Sequence, residues 1–110
     1  MEIHYRTKKL ERSLTTVKGL SKAYGRLARK INQRIHQLKS ADNLSVIAQL
    51  PALRLHSHLG KNKGVWSIDI QENWRILFKI EQDPIPTLED GGVDIKKVNT
   101  IRIESITDPH

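Results

Sequence analysis

Side chains able to transfer protons and bind phosphate recur in the second half of this 110-residue sequence, interleaved with apolar residues. Successive residues of a β-strand point to opposite faces, so the apolar set assigns the polar set to the other face. The apolar set comprises Leu53, Leu55, Trp66, Ile68, Trp74, Ile76, Phe78, Ile101 and Ile103. The opposite, open face is then predicted to carry Arg54, His56, Ser67, Asp69, Arg75, Lys79, Arg102, Glu104, Asp108 and His110.

Imidazoles and cations together are what metal-independent RNA cleavage requires. The ribose 2′-OH attacks its own neighbouring phosphate, so the protein has to supply a base, an acid and positive charge. Histidine titrates near neutral pH and serves in either proton-transfer role. An arginine such as Arg75 binds two phosphate oxygens with its planar fork. The same residues are also typical of an ordinary solvated sheet face, so both interpretations stay open on this evidence.

The charge balance favours a polyanionic or acidic partner. Nineteen Lys and Arg against twelve Asp and Glu give a net charge of +7. Nucleic acid, the ribosome, an acidic protein and a membrane surface all attract such a domain. The expected RNA or ribosome contacts are Arg54, Lys79 and two lysines in the loop before the predicted hairpin, Lys61 and Lys63.

Several classes of site are excluded by composition. The absence of cysteine excludes disulfides, thiolate metal sites and a cysteine nucleophile. The five histidines lack metal-binding spacing, so neither a metal nor a cofactor is expected. No apolar run approaches the roughly 20 residues that span a bilayer, and the first residues do not resemble a signal peptide. We therefore expect one cytoplasmic domain over residues 1–110 with no membrane partner.

The predicted elements place helices before a sheet. A short strand at 2–5 precedes a helix over 8–16, capped by Thr7 and ended by Gly19. Ser21 is the expected cap of a long helix over 22–39, whose apolar stripe is buried and whose basic residues, Arg34 among them, lie on the surface. A short helix over 44–50 ends at Pro51.

After Pro51 the apolar period changes from helical to alternating. Residues 66–70 and 74–80 predict an antiparallel hairpin with a tight turn at 71–73. Residues 82–97 predict an irregular loop, and a final strand contains Ile101 and Ile103. The fold class is therefore α+β, with N-terminal helices packed on one face of a twisted sheet.

Two segments carry a resemblance to a known family. Residues 55–68, LHSHLGKNKGVWSI, resemble the central motif of the HigB toxins, members of the RelE/ParE superfamily of toxin–antitoxin proteins. Residues 73–78, NWRILF, are similar to the strand that follows in that family. The loop over 83–94 resembles the extended loop of a longer HigB-like subgroup.

The resemblance implies a RelE-like microbial RNase fold with a mainly antiparallel sheet. It implies a type II toxin that inhibits translation as an endoribonuclease, cleaving mRNA on the 70S ribosome by 2′-OH transesterification. It also implies a HigA-like helix-turn-helix antitoxin that neutralises the toxin, with operator DNA bound only through that antitoxin.

Carried over position by position, the family's catalytic residues correspond to His56, Arg75, Asp108 and His110. His110 is the expected general acid or phosphate contact. Pro109 stands where the family has tyrosine, which removes a hydroxyl and an aromatic face from the site. The family pattern requires no histidine at position 58, so His58 is given no role.

Two alternatives remain open. A ParE-like toxin of the same fold would inhibit DNA gyrase without catalysis and would need no acid–base set. A catalytically attenuated toxin acting as a co-repressor with its antitoxin is the second alternative, and Pro109 is its support.

Overall fold

A short strand, then helices, then the other strands follow one another along the chain in the computed structural model, which describes residues 1–58 and 64–108. The helices are α1 (Lys8–Thr15), α2 (Val17–Tyr24), α3 (Ala28–Ser40) and α4 (Leu44–Ala48). The strands are β1 (Glu2–Tyr5), β2 (His56–Ser57), β3 (Val65–Gln71), β4 (Trp74–Ile80) and β5 (Thr100–Thr107). Short 3₁₀ turns occupy Gly25–Leu27, Pro51–Leu53 and Ile95–Lys97.

The described strands form one mixed sheet in the order β1-β5-β4-β3-β2. The first strand runs parallel to β5, whereas the other neighbours are antiparallel. The α+β class, the opening strand, the hairpin and the final strand are therefore confirmed. Helix α3 lies against the sheet, and the buried residues shared between them are Ile31, Ile35, Leu38, Ile68, Ile76, Phe78, Ile101 and Ile103.

Residues 8–40 form three helices, where the sequence predicted two, over 8–16 and 22–39. Thr7 caps α1 as expected, with its hydroxyl accepting from Leu10 N at 3.0 Å. Thr16 is extended and starts a second helix, its hydroxyl accepting from Gly19 N at 2.9 Å. The predicted single helix over 22–39 is wrong because Gly25, at φ 51°, ends α2 before α3 begins. Gly19 lies inside α2 and does not end α1.

The approach to β2 also departs from simple alternation. Leu53 is buried, but it belongs to a 3₁₀ turn and not to a strand. Arg54 follows in the left-handed region at φ 43°, and its N–H donates to the Pro51 carbonyl at 3.1 Å. Pairing with β3 begins after this turn, at His56.

A bulge in β5 inverts the predicted alternation near the end of the chain. Leu77 lies opposite Ser105, but the next residue, Phe78, lies opposite Ile103, so Glu104 is the extra residue. Beyond the bulge Thr107 shares the face of its partner Arg75. The alternation that placed Asp108 on the open face with Arg102 and Glu104 is therefore wrong beyond residue 104, because a bulge adds one residue to one strand.

A second bulge in β3 is held by a buried arginine. The register with β4 shifts between Asp69 and Gln71, which makes Ile70 the extra residue. Arg34 of α3, only 6% exposed, donates from Nε to the Asp69 carbonyl at 2.8 Å and from Nη2 to the Ile70 carbonyl at 3.3 Å. The surface position predicted for Arg34 is wrong, since its guanidinium pairs backbone acceptors beneath the sheet.

Arg34→Ala should lower the free energy of unfolding by about 2–4 kcal/mol, because it leaves two buried carbonyl groups without a donor. Urea denaturation measures the loss. Arg29→Ala is the matched control, since Arg29 is exposed on the same helix and its loss should cost less than about 0.5 kcal/mol. Equal stability of the two variants would contradict this role for Arg34.

Gly19→Ala should also destabilise the protein, although glycine inside a helix normally costs about 0.5–1 kcal/mol relative to alanine. A Cβ at Gly19 would lie 2.3 Å from the Arg12 carbonyl oxygen, so α1 and α2 would have to separate. We expect a loss of about 1–3 kcal/mol by thermal or urea unfolding. Ser21→Ala, at an exposed position of the same helix, should change stability by less than about 0.5 kcal/mol. A stabilising Gly19→Ala would refute this close approach.

Candidate active site

The sheet face turned away from the helices, called here the open face, carries His56 at the start of a cross-strand row. His56 lies opposite Ser67, which lies opposite Leu77, which lies opposite Ser105. Residues opposite one another in a ladder share a face, so these four side chains line one row across the sheet. The placement of His56 on the open face is confirmed, and its side chain is exposed.

His58 lies beside His56 on this face. Its backbone N–H donates to the Val65 carbonyl at 2.8 Å, which extends the pairing with β3 one position beyond the β2 strand. Its Nε2 lies 3.0 Å from the hydroxyl oxygen of Ser67, and Ser67 is only 1% exposed. The two imidazole centroids are 4.5 Å apart, with the rings tilted by 35°. Two imidazoles and a buried hydroxyl therefore form one contact group.

Burial lowers the pKa of His58 below its ordinary value of 6.5, and the positive charges of His56 and Arg75 lower it further. A histidine whose pKa is lowered below 6.5 is mainly neutral at pH 7.

Asp69 pairs with two guanidinium groups on the face that carries the imidazoles. Its Oδ1 lies 3.5 Å from Arg75 Nε, and its Oδ2 lies 3.4 Å from Arg54 Nη1. Asp69 and Arg75 are largely shielded, with side chains 18% and 26% exposed, whereas Arg54 is 68% exposed. Exposed pairs contribute little stability. These pairs act mainly by position, because they hold both guanidinium groups against the same carboxylate on the face that carries His56.

A second carboxylate organises the other end of the open face. Glu104, with its side chain 13% exposed, lies 2.7 Å from Arg102, 3.6 Å from Arg6 and 3.9 Å from Lys79. The hydrogen bond to Glu104 is the main reason that the pKa of Arg102 is raised. Lys79, predicted as an RNA contact, is therefore paired with a carboxylate. A phosphate there would compete with Glu104.

The structure places His56 and Arg75 on the same sheet face and pairs Arg75 and Arg54 with Asp69, but it does not describe every predicted site residue. Asp108 follows the last strand residue and is partly buried, and its face does not follow from alternation. Three further predicted residues, Lys61, Lys63 and His110, lie outside the described residues, as does Pro109.

Sequence reasoning missed the contribution of His58 and of Ser67. The signal was present, because residues 56 and 58 are two apart and share a strand face. What the sequence does not reveal is the buried hydroxyl that binds the second imidazole.

The described residues contain no cluster of three or more His, Cys, Asp or Glu side chains suited to hold a metal ion. Among the same residues, no helix has the length and apolar character needed to cross a membrane.

Comparisons with known proteins identify both a family and a fold. Residues 3–89 match a family profile described as a RelE-like toxin of the type II toxin–antitoxin system HigB. The solved structure of the YoeB/ParE toxin from Agrobacterium tumefaciens aligns with a TM-score of 0.56 and 12% identity, covering 100% of both chains. At that identity the likeness shows the fold alone, and comparison with curated proteins gave no match. The RelE-like fold and the resemblance in the motifs are confirmed, although the profile ends before Asp108.

The pKa values of His58 and His4 should be shifted in opposite directions from that of an ordinary histidine. NMR titration of their ring protons measures both pKa values. The pKa of His58 is lowered, whereas hydrogen bonds to Glu81 and Glu2 raise the pKa of His4. The folded state therefore loses stability through His58 as the pH falls below 6.5. It loses the contribution of His4 as the pH rises above 6.5. Identical titration of the two residues would contradict both environments.

Proposed function

The chain belongs to the HigB-like family of RelE-like toxins of type II toxin–antitoxin systems, and from that membership and the open face we propose that it is a ribosome-dependent mRNA endonuclease. Membership in a type II system also implies an antitoxin partner. The finer identity of that partner, a HigA-like helix-turn-helix protein that alone contacts operator DNA, belongs to the proposal. So does a cytoplasmic site of action on the 70S ribosome.

The observation that carries the proposal is the placement of His56 and Arg75 on neighbouring rows of the same face. His56 lies opposite Ser67 and Arg75 opposite Asp69, and those two partners are two residues apart in β3. Strand spacing of about 4.8 Å and a rise of about 3.4 Å per residue put the two backbones about 12 Å apart. An imidazole and an extended guanidinium reach a single phosphodiester between them.

In the proposed reaction each residue has one role. The substrate's 2′-OH is the nucleophile, and His56 transfers a proton to or from the reacting oxygens. Arg75 stabilises the negative charge that develops on the phosphorane. Asp108 and His110 remain candidates for the second proton transfer and for contact with the scissile phosphate. Because two protons move and no electrons are exchanged, the proposal needs no cofactor.

His56→Ala should lower mRNA cleavage on ribosomes by about 10²–10⁴-fold, the range of acid–base catalysis. Arg75→Ala should lower it by about 10²-fold or more, as for loss of one charge-stabilising donor. Both side chains lie off the core, so the thermal unfolding of the two variants should match that of the wild type. His36→Ala and Arg29→Ala are matched controls at exposed positions of α3 and should keep full activity.

Growth arrest without mRNA cleavage would overturn the proposal. If both variants still arrest growth, and DNA supercoiling changes while protein synthesis continues, the protein is a ParE-like gyrase inhibitor. If the wild type neither cleaves mRNA nor arrests growth but represses its operon with an antitoxin, it is an attenuated co-repressor.

Ribosome binding should weaken steeply with salt. A surface that neutralises about six phosphates loses roughly 10³-fold or more in affinity between about 50 and 200 mM salt, because bound counterions are released. Co-sedimentation with ribosomes over a salt series measures the slope. Arg54→Ala should reduce the slope by about one, since Arg54 is exposed on the open face. A flat salt dependence would contradict a phosphate-binding role.

A further inference from the structure

We propose that His58 is a positioning residue for His56, with Ser67 fixing the His58 ring so that this ring holds the His56 imidazole in its working orientation. The inference rests on the proposed nuclease function and assigns to that site a residue that the family motif does not require. It is carried by a hydrogen bond, a ring contact and the local charge.

The first step is the anchor. Ser67 lies in the middle of β3, pairs with both β2 and β4, and is 1% exposed. Its hydroxyl oxygen lies 3.0 Å from His58 Nε2, and the His58 backbone is fixed to Val65 at 2.8 Å. One ring nitrogen and the backbone of His58 are thus both tied to the same rigid strand, which leaves its ring little rotational freedom.

The second step is the contact between the rings. His56 is exposed and belongs to a strand of only two residues, so its own backbone restrains it weakly. The anchored His58 ring, 4.5 Å away and tilted by 35°, closes one side of the space available to the His56 ring. Fixing a catalytic group in one orientation lowers the entropic cost of reaching the transition state.

The third step is the charge that surrounds the pair. The charged groups that act on His58 both lower its pKa: His56, two residues before it, and Arg75 of β4. Lys79 lies opposite Val65, the β3 residue whose carbonyl accepts from the His58 backbone. Asp69 on β3 is already paired with both Arg54 and Arg75. A proton on His58 would add positive charge against His56 and Arg75, so the neutral ring is the form that supports His56. Cleavage should therefore fall as the pH drops far enough to protonate His58.

The test compares two substitutions of His58. His58→Phe keeps a ring against His56 but cannot titrate, and His58→Gln keeps hydrogen-bonding capacity toward Ser67 but has no ring. Purified variants are assayed for mRNA cleavage on ribosomes between pH 5 and 8, with kcat and KM measured separately. His36→Gln, at an exposed position of α3, is the matched control, and thermal unfolding checks that each variant is folded.

His58→Gln should lower kcat at pH 7.5 by about tenfold or more while KM changes by less than about twofold, because the orientation of His56 is lost and RNA contacts are not. His58→Phe keeps a ring but loses the bond to Ser67, so it should keep more kcat than His58→Gln and lose the part of the acidic fall that His58 protonation causes. Wild-type kcat in folded His58→Gln, or an unchanged pH profile in His58→Phe, overturns this inference and leaves the nuclease proposal standing. A wild-type protein that does not cleave mRNA overturns both.

Discussion

The buried guanidinium of Arg34 is the constraint on which the open face depends. It reaches from α3 to the carbonyls of Asp69 and Ile70, where β3 carries an extra residue. Burial lowers the pKa of Arg34, and the Asp69 charge opposes that shift, but a guanidinium stays protonated at neutral pH. The same residue whose backbone Arg34 binds from the helix side presents its carboxylate to Arg54 and Arg75 on the other side. The helix layer therefore fixes the residue whose carboxylate pairs with Arg54 and Arg75.

The two shielded carboxylates of the open face explain how a chain of net charge +7 keeps so many cations together. Asp69 holds two guanidinium groups, and Glu104 holds Arg102, Arg6 and Lys79 nearby. Without these counter-charges the cations would repel one another and spread into solvent. In the proposed function the arrangement also sets a cost for binding, since an incoming phosphate would have to share these partners. We infer that the exposed Arg54 is the easiest of them to redirect.

Alternation predicted the fold where strands are regular and failed where one residue is added. The hairpin and the faces of His56, Asp69 and Arg75 follow from period-two patterning. The faces of the residues at the end of β5 do not follow from this pattern, because Glu104 forms a bulge that the local sequence does not predict. The spacing of apolar residues also predicted one helix where the structure has α2 and α3, because the apolar stripe continues through the break at Gly25. Buried polar contacts between elements distant in sequence, such as that of Arg34 with β3, were equally out of reach of pattern reasoning.

The short strand β2 shows why the surroundings of His56 matter as much as the residue itself. Two residues of pairing at a sheet edge give a weak hold on a side chain that has to be placed accurately. Residues on both sides of β2 are restrained by side-chain contacts with β3. Arg54, before the strand, is ion-paired to Asp69, and His58, after it, is hydrogen-bonded to Ser67. Asp69 and Ser67 both belong to β3, the strand that Arg34 fixes to the helices. The one side-chain contact of His56 among the described residues is with the His58 ring, so the surroundings of the imidazole depend on the bulged centre of β3 as well as on the short strand that carries it.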